Sequence, residues 1–286
     1  MNTITFLPLV EQVSSRVIRI LGCNPGVKTL QGTNTYLVGN GKKRVLIDSA
    51  GMDNVDEYVR VLANELKQSD LSLQEILITH WHPDHSEGVQ PIFKSITNGP
   101  IKVSKHKLEN RHEHDVDTKY NYIKDGDLIE TEGATIQTIY TPGHTTDHLS
   151  FYLKEENALF SGDCILGETT AVFEDLFSYM NSLKKILDFK PTTIYPGHGP
   201  VIKDGVNRIQ YFIAHRNKRN EQILTALKES KEPLDELKIV KIVYVGLNEN
   251  LISAACENVS HHLDALKKQG LVENVNPGSW TLKKNQ

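Results

Sequence analysis

The sequence predicts an α/β protein of the mixed α+β kind, in which sheets carry helices on their outer faces and a small helical domain follows. Three observations support this fold class. Short β-branched or apolar runs alternate with amphipathic helical patterns through the first two-thirds of the 286 residues. Histidine and aspartate recur at the points where those runs end. The carboxyl end instead shows helical patterns followed by two short strand-like runs around Asn276–Gly278.

The β-branched and apolar runs have lengths typical of strands. The predicted strands are residues 35–39, 44–50, 75–80, 101–104, 134–141, 149–153, 158–163 and 192–198. Apolar residues at helical spacing predict three helices, which start near Val55, Leu176 and Ile209.

The composition is that of an ordinary soluble globular protein. The chain is 38% hydrophobic and 24% charged, with a formal net charge of −4, so charge alone gives no attraction to nucleic acid or acidic membranes. No run approaches the ~18 consecutive apolar residues of a membrane span, and the first residues lack a secretory signal pattern. Three widely spaced cysteines fit a reducing compartment. We therefore expect no membrane contact.

The densest motif is THWHPDH at residues 79–85, directly after the strand EILI. It contains His80, His82, Asp84 and His85. This spacing suits neither one face of a helix nor one face of a strand. A loop that binds a cation would suit it well.

Three later strands end in residues of the same kind. His144 follows ATIQTIYT, Asp163 follows ALFSG, and His198 follows TTIYPG. Because rigid strand ends fix the geometry of the loops that follow them, we expect all these side chains to meet. Seven ligands exceed the roughly four of one zinc ion, so the sequence predicts two metals. The predicted ligands are His80, His82, Asp84, His85, His144, Asp163 and His198.

Two further residues lie near these motifs. Asp48 ends the strand RVLID and is either the partner of a ligand histidine or a turn-capping aspartate. His148, within PGHTTDH, is expected to support the site or the fold rather than bind metal.

The motifs THWHPDH, TPGH, SGD and PGHGP resemble the signature of the metallo-β-lactamase superfamily. This resemblance implies an αββα sandwich with a dinuclear metal site at the sheet edges. It also implies that Asp163 bridges the two metals. Of the other ligands, it assigns His80, His82 and His144 to the first metal and Asp84, His85 and His198 to the second.

The runs LGCNPG, GTNTYLVG, KDGD, TEGAT, NALFSGDCILGETTAVFEDL and YMNSL are similar to the β-lactamase-like protein 2 group, and the likeness covers nearly the whole chain. It implies an endoribonuclease that cleaves single-stranded RNA, with two zinc ions and a mitochondrial matrix location. The cytoplasm is the alternative location. Aspartate ligands are less selective than imidazoles, so manganese is an alternative at one position.

In this hypothesis the two metals share a hydroxide that attacks the phosphodiester, and Asp84 and Asp163 are the catalytic residues.

A thioesterase of the glyoxalase II type is the second hypothesis, because it uses the same seven ligands on a carbonyl substrate. A nucleic-acid-binding protein with a structural metal is the third, although structural zinc sites need only four ligands. Members of the superfamily that open β-lactams usually replace the Asp-His pair of the DH motif or the bridging aspartate with other residues. This chain keeps Asp84 and Asp163, which disfavours β-lactam hydrolysis. Only 34 residues separate Asp163 from His198, which excludes the large nucleases with an inserted domain.

One position departs from many members of the superfamily. They follow the DH pair with a small residue and two glycines, whereas this chain reads Ser86, Glu87, Gly88. Because glutamate does not adopt positive φ cheaply, the turn must use an allowed backbone or be mildly strained.

We divide the chain into a catalytic domain, residues 1–218, and a winged-helix-like domain, residues 219–286. The latter has LDALKKQG in its third helix and a wing around Asn276–Gly278. From Arg216 onward the chain has eleven Lys and Arg against nine Asp and Glu. This domain therefore either helps to bind a polyanion or serves as a packing or dimerisation unit. The sequence does not indicate an oligomeric state.

Overall fold

The computed structural model describes residues 4–108 and 117–283. Its first sheet has seven strands that lie side by side in chain order. Neighbours are antiparallel over the first four strands and parallel from the fourth onward. These strands are β1 (Val10–Gln12), β2 (Val17–Leu21), β3 (Asn34–Val38), β4 (Lys43–Ile47), β5 (Ser72–Leu77), β6 (Lys102–Lys105) and β7 (Tyr120–Tyr122).

The second sheet has five strands in the spatial order β12-β11-β10-β9-β8. All its neighbours are antiparallel except β11 and β12, which are parallel. These strands are β8 (Leu128–Thr131), β9 (Ala134–Tyr140), β10 (Leu149–Leu153), β11 (Ala158–Gly162) and β12 (Thr193–Pro196).

The eight predicted strands are all present, with ends displaced by up to three residues. Strands β1, β2, β7 and β8 were not predicted from the sequence. Strand β2 was not predicted because Arg19 interrupts its apolar run. In the structure Arg19 is buried and its guanidinium lies 2.8 Å from the Glu11 carboxylate, which offsets the cost of burying the charge.

Helices cover the outer faces of both sheets, and each of the three predicted helices is present. The helices of this part of the chain are α1 (Val55–Gln68), α2 (Pro83–Ser86), α3 (Val89–Ile92), α4 (Leu176–Asp188) and α5 (Gly205–Glu229). Apolar side chains of α1 pack on the first sheet, and those of α4 and α5 pack on the second. A third apolar cluster, which includes Tyr36 and Phe160, fills the space between the sheets. This is the αββα sandwich that the sequence predicted.

The carboxyl-terminal lobe contains α6 (Glu236–Val243), α7 (Ile252–Lys268) and the hairpin β13 (Val272–Asn276) and β14 (Ser279–Leu282). With the end of α5 this gives the predicted three helices and wing. The predicted domain boundary at 218/219 falls inside the continuous helix α5, and it stays a prediction. In the ranges that the structure describes, no helix combines the length and the apolar character needed to cross a bilayer.

Candidate metal centre

The structure brings all seven predicted site residues together at one edge of the sandwich. His80 and His82 lie in the loop after β5, and Asp84 and His85 lie in the short helix α2 that follows it. The loops after β9, β11 and β12 carry the other three, so both sheets contribute. Imidazole and carboxylate atoms of these residues fall into groups in which every ligand atom lies within 4.8 Å of the others. Two of the groups share no residue. We call His80, His82 and His144 the first cluster, and Asp84, His85 and His198 the second cluster.

In the first cluster three ring nitrogens converge. His82 Nδ1 lies 2.9 Å from His80 Nε2 and 3.0 Å from His144 Nε2, and the two Nε2 atoms are 3.2 Å apart. A tetrahedral zinc ion with Zn–N bonds of ~2.1 Å places its ligands about 3.4 Å apart. The first cluster therefore has nearly the spacing of a zinc site.

In the second cluster the spacing is similar. Asp84 Oδ2 lies 3.3 Å from His85 Nε2 and 3.2 Å from His198 Nε2, and the two ring nitrogens are 3.3 Å apart. One carboxylate and two imidazoles are a usual ligand set for zinc in hydrolases.

Asp163 lies between the clusters and faces each with a different oxygen. Its Oδ2 is 3.7 Å from His144 Nε2, while its Oδ1 is 3.5 Å from His85 Nε2 and 3.4 Å from His198 Nε2. The Oδ1 atom is buried and has no hydrogen-bond partner among the described residues. A buried carboxylate oxygen without a partner is costly. A cation in the second cluster would satisfy this oxygen. Because Oδ2 faces the first cluster in the same way, the residues present fit a pair of divalent metals.

The outer nitrogens of three histidines are held by acceptors, which leaves the inner nitrogens as lone pairs. His144 Nδ1 donates to the Val172 carbonyl at 2.7 Å, and His80 Nδ1 donates to Thr79 Oγ1 at 2.9 Å. His85 Nδ1 lies 2.8 Å from Asp48 Oδ2. Partners of this kind fix the tautomer of a metal-binding imidazole.

Asp48 also accepts hydrogen bonds from the backbone N–H of Thr79 at 2.8 Å and from Thr79 Oγ1 at 2.9 Å. Its φ of 60° is left-handed, a conformation that is uncommon for a residue with a side chain and that is found preferentially at functional sites. Of the two roles considered for Asp48, the structure therefore supports the partner of a ligand histidine.

We predict that Asp48→Asn weakens metal binding at the second cluster by about 10- to 100-fold, because the amide cannot hold His85 as the carboxylate does. Chelator competition on the full-length protein measures this affinity, and Asp56→Asn, on the exposed first turn of α1, is the matched control. Unchanged affinity in the Asp48 variant would show that Asp48 only stabilises the turn.

His148 lies behind Asp163 and not in the open cleft. Its Nε2 accepts the backbone N–H of Asp163 at 3.2 Å, and its Nδ1 lies 2.8 Å from Thr141 Oγ1. It is fully buried, and these contacts agree with the prediction that it supports the site or the fold.

Three supporting groups have contacts with the site that the sequence did not predict. Thr79 joins Asp48 to His80, and its place beside the motif was the only signal. The Asn34 side chain donates to the carbonyls of Pro196 and Gly199, which holds the turn that carries His198. Nothing in the sequence points to the Val172 carbonyl, because every residue has a backbone carbonyl.

Burial keeps the imidazoles of His80 and His82 in the first cluster neutral. It holds the pKa of His80 well below the ordinary value, and with the neighbouring imidazoles it lowers the pKa of His82 to about 4. Neutral imidazole is the form that binds a metal, so these two side chains are ready for a cation at neutral pH.

The second cluster has the opposite character. Burial by itself would lower the pKa of His198. The carboxylates of Asp163 and Asp84 outweigh burial and raise this pKa to about 9. Burial by itself would raise the pKa values of Asp84 and Asp163. The nearby imidazoles instead hold both pKa values below the usual range. A cation that enters this cluster therefore displaces protons from imidazole.

The site opens to solvent through a cleft of about 510 Å³. His82 and Asp84 line it, while the exposed side chains of Val27 and Met52 lie at its mouth. Glu87 also lines this cleft. Its φ of −74° and ψ of −21° are right-handed helical, so the unusual Ser86-Glu87-Gly88 turn is not strained.

Comparison with known proteins agrees with this geometry. Residues 29–198 match the model of the metallo-beta-lactamase superfamily, and residues 236–280 match that of the beta-lactamase associated winged helix domain. The chain is 47% identical over 270 residues to a Beta-lactamase-like protein 2 homolog of Drosophila melanogaster, which covers 92% of both chains.

Two further relatives are informative. A Claviceps purpurea protein named Atrochrysone carboxyl ACP thioesterase is 40% identical over 77% of this chain and 67% of its own length. A metallo-beta-lactamase family protein of Thermus thermophilus superimposes with a TM-score of 0.71 at 22% identity, over 96% of this chain and 100% of its own, which shows the shared fold. The chain belongs to the metallo-β-lactamase superfamily, as a hydrolase with a buried His/Asp metal site.

Proposed function

We propose that this protein is a metal-dependent endoribonuclease that hydrolyses phosphodiester bonds of single-stranded RNA. The observation that carries the proposal is the pair of ligand clusters on either side of Asp163, beside an open cleft that His82 and Asp84 line. RNA is proposed as the substrate because the sequence motifs resemble the β-lactamase-like protein 2 group, and that resemblance implies an endoribonuclease. That likeness extends over 92% of the chain and so includes the carboxyl-terminal lobe.

His80, His82 and His144 would hold the first cation, and Asp84, His85 and His198 the second, with Asp163 as a ligand available to both. Cations held there supply an activated water molecule and neutralise the charge that develops on a phosphoryl group. We propose zinc, since imidazole dominates the ligand set, with manganese as an alternative at the second cluster.

The protein itself positions the reacting groups. Asp84 is the more exposed of the two acids, with 29% of its side chain accessible against 12% for Asp163. Its carboxylate can therefore orient the attacking water. Thr33 Oγ1 donates to Asp84 Oδ2 at 3.3 Å and limits the rotation of that carboxylate. We further propose a location in the mitochondrial matrix, with the cytoplasm as the alternative.

Thioester hydrolysis is the second candidate function. The name of the Claviceps purpurea relative favours it, since that protein is 40% identical to this chain. The exposed apolar side chains of Val27 and Met52 at the cleft mouth would suit an acyl chain.

One experiment separates the two candidates. Pure protein is incubated with an end-labelled unstructured RNA and, in parallel, with glutathione and pantetheine thioesters. We expect internal cleavage of the RNA that a chelator abolishes and added Zn²⁺ or Mn²⁺ restores, because the activated water requires the cations.

Asp84→Ala should remove the cleavage, and this variant guards against a contaminating ribonuclease. Thioester turnover with intact RNA would replace the proposal by the second candidate. RNA binding without turnover of any substrate would favour a binding protein with a structural metal.

A further inference from the structure

A short segment, Ala171 to Asp175, connects the first cluster to the carboxyl-terminal lobe. It follows the loop of Asp163 and leads into α4. Residues 171–175 make contacts on two sides, with the turn that carries His144 in front and with α5 and α7 behind. We call it the 171–175 segment.

On the front side the segment makes three hydrogen bonds to the turn of His144. The Val172 carbonyl accepts His144 Nδ1–H at 2.7 Å. The backbone N–H groups of Glu174 and Asp175 both donate to the Gly143 carbonyl, at 2.7 and 3.0 Å. The segment therefore fixes both the backbone before His144 and the orientation of its ring.

Val172 does not anchor the segment by its own side chain, which is 76% exposed. The contacts that hold the segment in place are on its other side, which faces α5. The buried guanidinium of Arg216, on α5, donates from Nη2 to the Ala171 carbonyl at 2.9 Å and lies 4.8 Å from the ring centroid of Phe173. The Phe173 ring in turn stacks on Tyr179 with centroids 5.4 Å apart.

The winged-helix lobe completes this support through α7. The His261 ring meets Phe173 edge-on at 5.5 Å, and Lys268 is ion-paired with Asp175. Ala265 is buried in the apolar cluster of α4 and α5. Helix α7 is thus packed against the catalytic sandwich as well as against its own lobe.

We propose that Arg216, together with α7, is the positioning support of His144, so that the winged-helix lobe is a structural part of the metal centre. Without this support the Val172 carbonyl can move, and His144 loses the partner that fixes its tautomer and keeps its Nε2 lone pair directed at the first cluster. The inference rests on the proposed role of His144 as a ligand, but it does not depend on RNA as the substrate.

The test compares Arg216→Met with the wild type in the full-length protein. Methionine keeps most of the side-chain length but removes the donor to Ala171. The first readout is zinc affinity at each cluster by chelator competition. The second is the Nδ1–H resonance of His144 in the metal-free protein labelled with ¹⁵N-histidine, which reports the tautomer directly.

We expect the affinity of the first cluster to fall by about tenfold, at the lower end of the 10- to 100-fold effect of losing a direct partner, because Arg216 acts through Val172. The affinity of the second cluster should stay within about twofold of wild type. The Nδ1–H resonance of His144 should broaden or disappear, and Arg216→Lys should recover part of both effects.

Arg219→Met is the matched control, because Arg219 lies on the same helix but stacks on Tyr244 at 3.7 Å. If Arg216→Met does not fold, Phe173→Leu removes the ring that joins Arg216 to His261 and gives the same comparison. Wild-type zinc affinity and an intact His144 resonance in a folded variant would overturn the inference. Wild-type protein that binds zinc but leaves RNA intact would reject the endoribonuclease and leave this inference standing.

Discussion

Asp163→Asn should reduce hydrolysis of the substrate by about 10³-fold or more and change the metal content from two ions to one per chain. Asp163 is the only one of the seven predicted ligands whose two oxygens face different clusters. An amide offers one oxygen and one N–H₂ group, and the latter cannot bind a cation. Loss of a single group that stabilises transition-state charge already costs about 10²- to 10³-fold.

Initial rates with saturating metal, together with elemental analysis of the dialysed protein, measure both effects. Asp188→Asn is the matched control, since Asp188 is an exposed residue at the end of α4. Two ions per chain and near wild-type rates in Asp163→Asn would mean that another group holds the metals together, and the mechanism proposed above would be wrong.

Gly143→Ala should have the largest effect on stability. Gly143 has φ of +134°, and an added Cβ would lie 2.4 Å from both N and Cα of Tyr179 in α4. Helix backbone cannot move aside as a flexible side chain can. Backbone strain of this kind costs about 1–3 kcal/mol, and overpacking adds about 1–3 kcal/mol. We therefore expect a loss of roughly 2–6 kcal/mol in the free energy of unfolding.

Urea or thermal unfolding of the metal-free protein checks this value. The matched control is Gly246→Ala, where φ is +77° but no atom lies within 4 Å of the added Cβ. That variant should show the backbone cost alone, about 1–3 kcal/mol. Equal losses at the two positions would show that the contact with Tyr179 relaxes freely.

The same turn links stability to the metal centre. Because the Gly143 carbonyl accepts two backbone hydrogen bonds from the 171–175 segment, displacement of this turn also moves His144. Gly143→Ala protein that stays folded should therefore bind zinc more weakly at the first cluster. Chelator competition, as used for Arg216→Met, would measure this.

The sequence was most informative where local chemistry decides the structure. THWHPDH, with its four metal-binding side chains in six positions, follows an apolar strand, and the SGD and two PGH turns follow others. Those patterns predicted which residues would meet, and the structure brings all seven together. The strands with clear β-branched runs were also predicted, whereas β2 was not, because burial of Arg19 depends on Glu11 from the neighbouring strand.

The tertiary structure alone decided the supporting groups. The Val172 carbonyl, the Asn34 contacts with the turn of His198 and the Arg216 contact with Ala171 join positions that are 28 to 165 residues apart. Nothing local encodes such contacts, since backbone carbonyls are the same at every position and their direction follows from packing.

The sequence by itself therefore determined the fold class and the set of residues that converge, because both depend on periodicity and on side-chain chemistry. Only the tertiary structure decided which oxygen of Asp163 faces which cluster and how Asp48 holds His85. It also decided that α7 packs against the 171–175 segment, which holds the turn of His144. These facts depend on the distances and angles between elements that are remote in the chain, and those are set when the two sheets and the carboxyl-terminal lobe pack together.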